Sequence, residues 1–189
     1  MRVQHPQTVR RLALLGILGA AVLVQSAGAT SVTPESLVLR QSDVPGGYRL
    51  NPDKSGRRTS AQDSVGFPSL RTKYASWGRL GGYQNQFDRG DDSIASRADV
   101  FHGRSGARRM LAWFVTETER QGVLHLHASK VPVGDEGVAY SFEGGDVAFT
   151  IVLWRYRRVF SIVGAGGLER ARVLALARTQ QRRVATALR

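Results

Sequence analysis

The sequence contains no cysteine among its 189 residues. This absence excludes disulfide bridges, thiolate zinc sites, iron–sulfur clusters, a cysteine nucleophile and the lipidated cysteine of a bacterial lipoprotein. Histidines number four and acidic residues 15, against 27 Lys and Arg. The side chains that usually carry catalysis are therefore scarce, and the net charge of +12 makes the chain strongly basic.

The sequence also lacks any segment that recurs at a fixed period, which disfavours a solenoid of repeats. Its 42% hydrophobic residues are sufficient for one packed core. We therefore expect a single domain preceded by a short N-terminal segment.

Residues 1–29 have the three parts of a secretory signal peptide. Three arginines precede the uncharged run 12–24, and the small residues Ala27 and Ala29 follow it. As a helix this run is only about 20 Å long, shorter than the roughly 30 Å hydrocarbon core of a bilayer. We expect cleavage after Ala29 and a secreted or otherwise extracytoplasmic mature chain, 30–189. The alternative is an uncleaved N-terminal helix that anchors the protein.

The mature chain would keep a net charge of +9, because the leader carries three arginines and no acidic residue. Outside the cytoplasm such a charge favours anionic lipid headgroups or acidic wall polymers as partners. Binding to nucleic acid is not expected there.

Hydrophobic periodicity predicts an α+β fold. One amphipathic helix is predicted from Ser105 to Gly122, and a second from Leu168 to the C-terminus. Alternating or apolar runs predict six strands, at 83–87, 93–101, 124–128, 138–142, 147–154 and 159–163. This order favours an antiparallel sheet of about five to six strands that packs one face against two long helices.

Two further segments precede the first predicted strand. Residues 34–41 are predicted to form a short helix, with Thr33 as its cap and Pro34 in its first turn. Residues 51–66 carry almost no apolar periodicity, so we expect a mobile loop there.

The histidines offer one chemical hypothesis. His125 and His127 lie two apart on a predicted strand and would project from the same face. With His102, or with a carboxylate from Asp135 or Glu136, they could bind zinc or copper. Histidines also occur on open sheet faces without binding a metal. For this reason a metal-dependent hydrolase that uses His125 and His127 is the alternative function and not the preferred one.

Other catalytic patterns are missing. The sequence has no Gly-x-Ser-x-Gly motif, and Ser105 is explained as a helix cap. The acid pair Asp91-Asp92 lies in a glycine-containing turn, and the glycines of 164–167 lack the spacing of a phosphate loop. We therefore assign no catalytic residue and no cofactor.

Arginines and aromatic residues alternate at the predicted hairpin tip that joins the last two strands. Such alternation suits a sugar, an aromatic ligand or a headgroup, whereas a solvated basic hairpin is the alternative. The C-terminal helix carries a second group of arginines on one face. The candidate ligand-binding residues are Trp154, Arg155, Tyr156, Arg157 and Arg158 of the hairpin, and Arg178 and Arg182 of the helix.

Three segments, 36–48 (SLVLRQSDVPGGY), 77–83 (WGRLGGY) and 134–140 (GDEGVAY), together span most of the mature chain. They resemble uncharacterised secreted bacterial domains with an α/β sandwich, which are distantly similar to the extracellular sensor domains of bacterial serine/threonine kinases and to PsbP-like lipoproteins. The cysteines of the sensor domains are missing here. The resemblance implies a non-catalytic binding or accessory domain at the bacterial cell envelope, and it implies no catalytic residues.

Overall fold

The computed structural model of the protein describes residues 32–120, 128–144 and 147–189. Val32–Arg189 is one compact unit. The predicted leader, the helix end at Gly122 and most of the predicted strand 124–128 lie outside the described residues. Within them, no helix is long and apolar enough to span a bilayer.

The described residues form one antiparallel sheet with helices before, within and after it. Short 3-10 helices lie at Pro34–Leu37, Gln41–Asp43 and Pro52–Lys54. The regular elements are β1 (Arg49–Leu50), β2 (Gly56–Arg58), α1 (Ser60–Asp63), α2 (Leu70–Trp77), β3 (Arg79–Arg89), β4 (Asp92–Phe101), α3 (Arg104–Arg120), β5 (Ser129–Lys130), β6 (Glu136–Gly144), β7 (Val147–Tyr156), β8 (Val159–Gly166) and α4 (Arg170–Ala187).

The strand order across the sheet is β1-β3-β4-β8-β7-β6-β5, and β2 also pairs with β3. Every ladder is antiparallel. The predicted α+β class is confirmed, and the described residues form eight strands instead of the five to six predicted. The additional strands have two or three residues each, too few for an alternating pattern to be visible in the sequence.

The two long helices lie on opposite faces of the sheet. On one face Met110 of α3 belongs to the same core cluster as Leu153 of β7. On the other face Leu176 of α4 packs with Trp154, the next residue of β7. The prediction that both helices cover one face is therefore wrong. Because β7 is apolar on both faces, each face needs its own cover.

A buried amide fixes α4 to the central strands. Gln180 is fully buried. Its Oε1 accepts a hydrogen bond from Ser96 Oγ at 2.7 Å, and its Nε2 donates to the carbonyl of Arg97 at 2.8 Å. The same Ser96 oxygen accepts from the backbone N–H of Leu39 at 2.8 Å. These bonds satisfy polar atoms that burial would otherwise leave unpaired.

Residues 51–66 are not an irregular loop. They contain a 3-10 helix, β2 and α1, and β2 pairs with β3. Asn51 caps the 3-10 helix, and Thr59 forms a capping box with Gln62 at the start of α1. The polar composition that predicted a loop reflects these caps instead.

Residues 34–41 differ from the predicted helix in a similar way. They hold the 3-10 helix Pro34–Leu37, and the chain is extended at Val38. Leu37, Val38 and Leu39 are all fully buried. Three consecutive buried residues cannot lie on one stripe of a helix, so burial on several sides decides the conformation here.

Candidate functional site

An open cavity of about 570 Å³ lies where the start of α3 meets the end of β7 and the loop before β6. This volume is in the range of small-molecule sites, roughly 300–1,000 Å³. Four guanidinium groups and one carboxylate of the described residues line it, a formal excess of three positive charges. We call it the arginine pocket; its lining residues are Arg104, Ser105, Arg108, Asp135, Arg155, Tyr156 and Arg157.

The α3 side of the arginine pocket carries Arg104 and Arg108. These residues are one helical turn apart and therefore share a face of α3. Both are exposed. The Nε of Arg108 lies 3.5 Å from Glu136, and its side chain is 72% exposed. No ion pair links Arg104 to another described residue. Both guanidinium groups are thus available to a ligand.

Asp135 fixes the opposite wall. Its Oδ2 accepts hydrogen bonds from the Arg155 side chain and from the backbone N–H of Arg157, both at 2.8 Å. Its own N–H donates to the carbonyl of Arg155 at 2.8 Å. The preceding Gly134 has a φ of +69°, and a Cβ there would collide with the Arg155 carbonyl. The loop before β6 is therefore held tightly against the end of β7.

Arg155 is already committed to two carboxylates. Besides Asp135 it donates to Glu136 at 2.8 Å. The hydrogen bond from Arg155 holds the pKa of Glu136 below its usual value, although partial burial opposes this. The Nε of Arg155 is buried without a hydrogen-bond partner among the described residues. Arg155 therefore shapes the wall and contributes little uncompensated charge.

Arg157 occupies the tip of the β7–β8 hairpin in a left-handed conformation, with a φ of +51°. Such a φ is uncommon for a residue other than glycine. Its side chain donates to the carbonyl of Leu188 at 2.5 Å and lies 5.6 Å from the centre of the Tyr156 ring. The tip thus keeps an arginine at a position where glycine would cost less backbone strain.

The hairpin residues that the sequence predicted as a ligand site separate into two groups. Arg155, Tyr156 and Arg157 line the arginine pocket. Trp154 is fully buried against α4, and its Nε1 donates to Gln181 at 2.7 Å. It is a core residue and not an exposed platform, because its side chain points to the opposite face of β7 from Arg155. Arg158 is half-buried and lies outside the lining.

The α4 arginines lie elsewhere. Arg178 is exposed on α4. Arg182 lines a more open groove of about 460 Å³, in which Arg183 forms a bidentate ion pair with Asp43 at 2.7 and 2.8 Å. Neither Arg178 nor Arg182 lines the arginine pocket. The other residues of this groove are Ser36, Arg40, Thr179, Thr186 and Ala187.

The predicted metal ligands His125 and His127 lie outside the described residues. His102 is exposed, and its backbone N–H donates to the carbonyl of Gly78 at 2.9 Å. In the described part of the chain, no three His, Cys, Asp or Glu side chains are placed to hold a metal ion. Metal binding remains a prediction from the sequence alone.

A second charged cluster, the buried ion network, lies on the α3 side of the sheet near α1 and α2. Arg97 contacts Asp63 at 2.6 Å and Asp99 at 2.7 Å. Arg79 contacts the same two carboxylates at 3.1 and 2.5 Å. The hydroxyl of Tyr74 accepts from Arg97 at 2.9 Å.

The buried ion network is closed and saturated, so we assign it a structural role. Asp99 is fully buried. Burial alone would raise the pKa of its carboxyl group, but the charges of Arg97 and Arg79 and their hydrogen bonds hold that pKa below its usual value. The carboxylate form is therefore part of the folded state.

Sequence reasoning missed Arg104 and Arg108 as site residues and named Asp135 only as a metal ligand. Two arginines spaced four apart on a helix predict a shared exposed face. What they face depends on a hairpin tip about fifty residues later in the chain. Only the fold brings these parts together.

No protein-family model matches this chain, and no curated protein matches it. Among solved structures, it is similar to the extracellular domain of PknH, a mycobacterial kinase, from Mycobacterium tuberculosis. The TM-score is 0.50, the identity is 16%, and the match covers 80% of this chain and 94% of that chain. This likeness shows a shared fold. The resemblance to kinase extracellular domains is confirmed at that level.

Proposed function

We propose that this protein is a non-catalytic, extracytoplasmic domain that binds a small anionic molecule in the arginine pocket. The observation that carries the proposal is the pocket itself, in which four arginines and one aspartate line about 570 Å³. Exposed like charges repel one another, and Asp135 and Glu136 offset only part of the charge of these arginines, so an anionic ligand would reduce the remaining repulsion. The leader-like residues 1–29 and the fold shared with an extracellular domain support the location.

The chemistry of the lining supports binding without catalysis. Arginine does not release its proton in proteins, so it cannot act as a general base. Asp135, the one carboxylate among the described residues of the lining, is already bonded to Arg155 and Arg157. Among the described residues, the lining holds no histidine that could activate Ser105.

The test is an NMR titration of the uniformly ¹⁵N-labelled mature chain with inorganic phosphate, benzoate and neutral benzamide. We expect both anions, but not benzamide, to shift the amide resonances of 104–108, 135 and 155–157. The double change Arg104→Glu and Arg108→Glu should abolish these shifts. Arg109→Glu is the matched control, because Arg109 is exposed on the same helix but does not line the pocket.

Either of two results would overturn the proposal. If neither anion shifts the pocket resonances more than benzamide does, the pocket is only a solvated basic surface. The same conclusion follows if the double variant and the Arg109→Glu control bind alike.

A further inference from the structure

We infer that the arginine pocket selects a phosphate monoester, that is, a doubly charged terminal phosphate on a small organic body. The inference rests on the proposed anion-binding function and names its ligand class. Charge, positions of the donors and size of the cavity each support it.

The charge of the pocket suits a dianion. The lining carries an excess of three positive charges. Glu136, which lies just outside and is bonded to Arg155, reduces the local excess to two. A phosphate monoester carries close to two negative charges at neutral pH, since its second pKa is about 6. A monoanion would leave one positive charge uncompensated.

The positions of the arginine donors suit a tetrahedral group. Arg104 and Arg108 line the pocket from α3, and Arg157 lines it from the hairpin tip. Arg108 also contacts Glu136, and Arg157 also donates to the carbonyl of Leu188, but each guanidinium has five N–H donors, so further donors remain. A monoester phosphate has three terminal oxygens that point in different directions, so guanidinium groups from two sides can each find an acceptor. A carboxylate has two oxygens in one plane, and one bidentate arginine occupies both.

The size of the cavity requires more than a free phosphate ion. A volume of about 570 Å³ is comparable to sites that hold whole small molecules. The space beside the arginines would hold an organic body attached to the phosphate.

Isothermal titration calorimetry at about pH 7.5, where a monoester is a dianion, separates charge from shape. The probes are phenyl phosphate, phenyl sulfate, which has the same shape and one charge less, and isophthalate, which has two charges in planar groups. We expect phenyl phosphate to bind about tenfold more tightly than either, because a dianion makes stronger charge-assisted bonds and a tetrahedral group meets all three arginines.

Matched variants test the site. Arg104→Gln and Arg108→Gln should each weaken phenyl phosphate binding, whereas Arg109→Gln should leave it unchanged. All three positions are exposed on α3, so the fold should tolerate each change. A circular dichroism melt of each variant checks this.

Glycerol 3-phosphate and vesicles of neutral lipid with phosphatidic acid carry the same monoester group in soluble and in lipid form. Binding of either one, lost in Arg104→Gln, supports the inference and identifies the source. Equal binding to vesicles with phosphatidylglycerol, a diester, would overturn it.

The calorimetry distinguishes failure of the monoester selection from failure of the proposed anion-binding function. Equal binding of phenyl phosphate and phenyl sulfate, or tighter binding of isophthalate, would overturn the selection for a monoester and leave the anion-binding function intact. If none of the three binds, both fail.

Discussion

At the scale of single residues, the absence of a side chain at Gly82 leaves room for the buried ion pair of Arg79 and Asp99. Gly82 lies opposite Asp99 in the β3–β4 ladder. A Cβ at this position would enter the space of Asp99 Oδ1 and of the Arg79 guanidinium. Gly82→Ala should lower the free energy of unfolding by about 1–3 kcal/mol, because neither charged group can move without losing its partner.

Urea denaturation measures this loss, and Gly166→Ala in β8 is the control. A Cβ at Gly166 would meet no atom of the described residues within 4 Å. We expect that variant to be neutral or slightly more stable. Equal losses for the two variants would mean that glycine in a strand, and not the ion pair, sets the cost.

Because the pKa of Asp99 is lowered in the folded state, the free energy of unfolding depends on pH. In the unfolded chain the pKa of an aspartate is about 3.9, whereas in the folded protein the pKa of Asp99 is lower. The unfolded state therefore binds the proton more readily, and the stabilisation that is present above about pH 4 is lost as the pH falls through the folded pKa. The urea concentration at the midpoint of unfolding, measured from neutral pH downward, should decrease as the pH falls from about 4 through the folded pKa of Asp99.

Asp99→Asn tests the assignment. At neutral pH it should cost about 3–5 kcal/mol, since Arg97 and Arg79 each lose a buried partner. Its midpoint should then depend less on pH than that of the wild type. Asp91→Asn, in the exposed turn of the β3–β4 hairpin, is the control and should keep the wild-type dependence. Parallel curves for all three proteins would exclude Asp99 as the titrating group.

The burial of Arg97 and Asp99 could not be predicted from the sequence. The alternation of residues 93–101 predicted the strand correctly. Polar residues in such a pattern usually face solvent, but these two face Asp63 and Arg79. Their partners come from distant parts of the chain, so a local pattern holds no signal for them.

At the scale of elements, the β7–β8 hairpin stores strain at Arg157. A left-handed conformation costs an ordinary L-residue roughly 1–2 kcal/mol and costs glycine almost nothing. Arg157→Gly and Arg157→Val both remove the bond to Leu188, but only glycine relieves the strain. We therefore expect the glycine variant to be more stable than the valine variant by about 1–2 kcal/mol.

Thermal and urea unfolding of the two variants check this difference. Arg158→Gly and Arg158→Val form the control pair at the other tip position, where φ is not positive. There valine should be at least as stable as glycine. If the Arg157 pair shows the same order as the Arg158 pair, the tip is not strained.

The long elements were predictable because each is long enough to show a period. The helices α3 and α4 and the strands β3, β4, β6, β7 and β8 all coincide with predicted segments. The short strand β5 and the helix α2 contain too few residues to show a hydrophobic period. Which face of the sheet each helix covers is set by the connection between elements, and no period encodes it.

At the scale of the whole molecule, positive charge is found on α4 as well as in the arginine pocket. Arg178 and Arg182 are exposed on α4. We predict that this surface adds weak binding to anionic vesicles or acidic wall polymer, and that the binding falls as salt rises past about 0.15 M, where the Debye length is about 8 Å.

Vesicle sedimentation at low and high salt measures this effect. Reversal of charge at Arg178 and Arg182 should weaken it, while Arg109→Glu on α3 is the control. Equal sedimentation with anionic and neutral lipid would show that the α4 arginines are only a solvated surface.

Export is predicted from the leader alone. Intact-mass measurement of material recovered outside the cytoplasm should give a chain that begins at Thr30. A chain that starts there contains all three described core clusters, so we expect it to unfold in one cooperative transition. Recovery of the full-length chain from the cytosol would contradict this prediction.

The arginine pocket was predictable only where its residues are adjacent in sequence. Residues 155–157 stood out because charge and aromatic character alternate there. Arg104 and Asp135 could not be connected to them, since three separate elements must first pack. The same limit applies to Trp154, whose neighbours in sequence face the other side of the sheet.

The long strands of the sheet form two blocks, each made of neighbours in sequence, and the two blocks meet at a single seam. β3 and β4 form one block, and β6, β7 and β8 form the other; each closes through short connections. The seam pairs β4 with β8, from Ile94 with Ala165 to Val100 with Val159. Closing such a long intervening chain costs the most entropy, so this seam should form late and limit the folding rate.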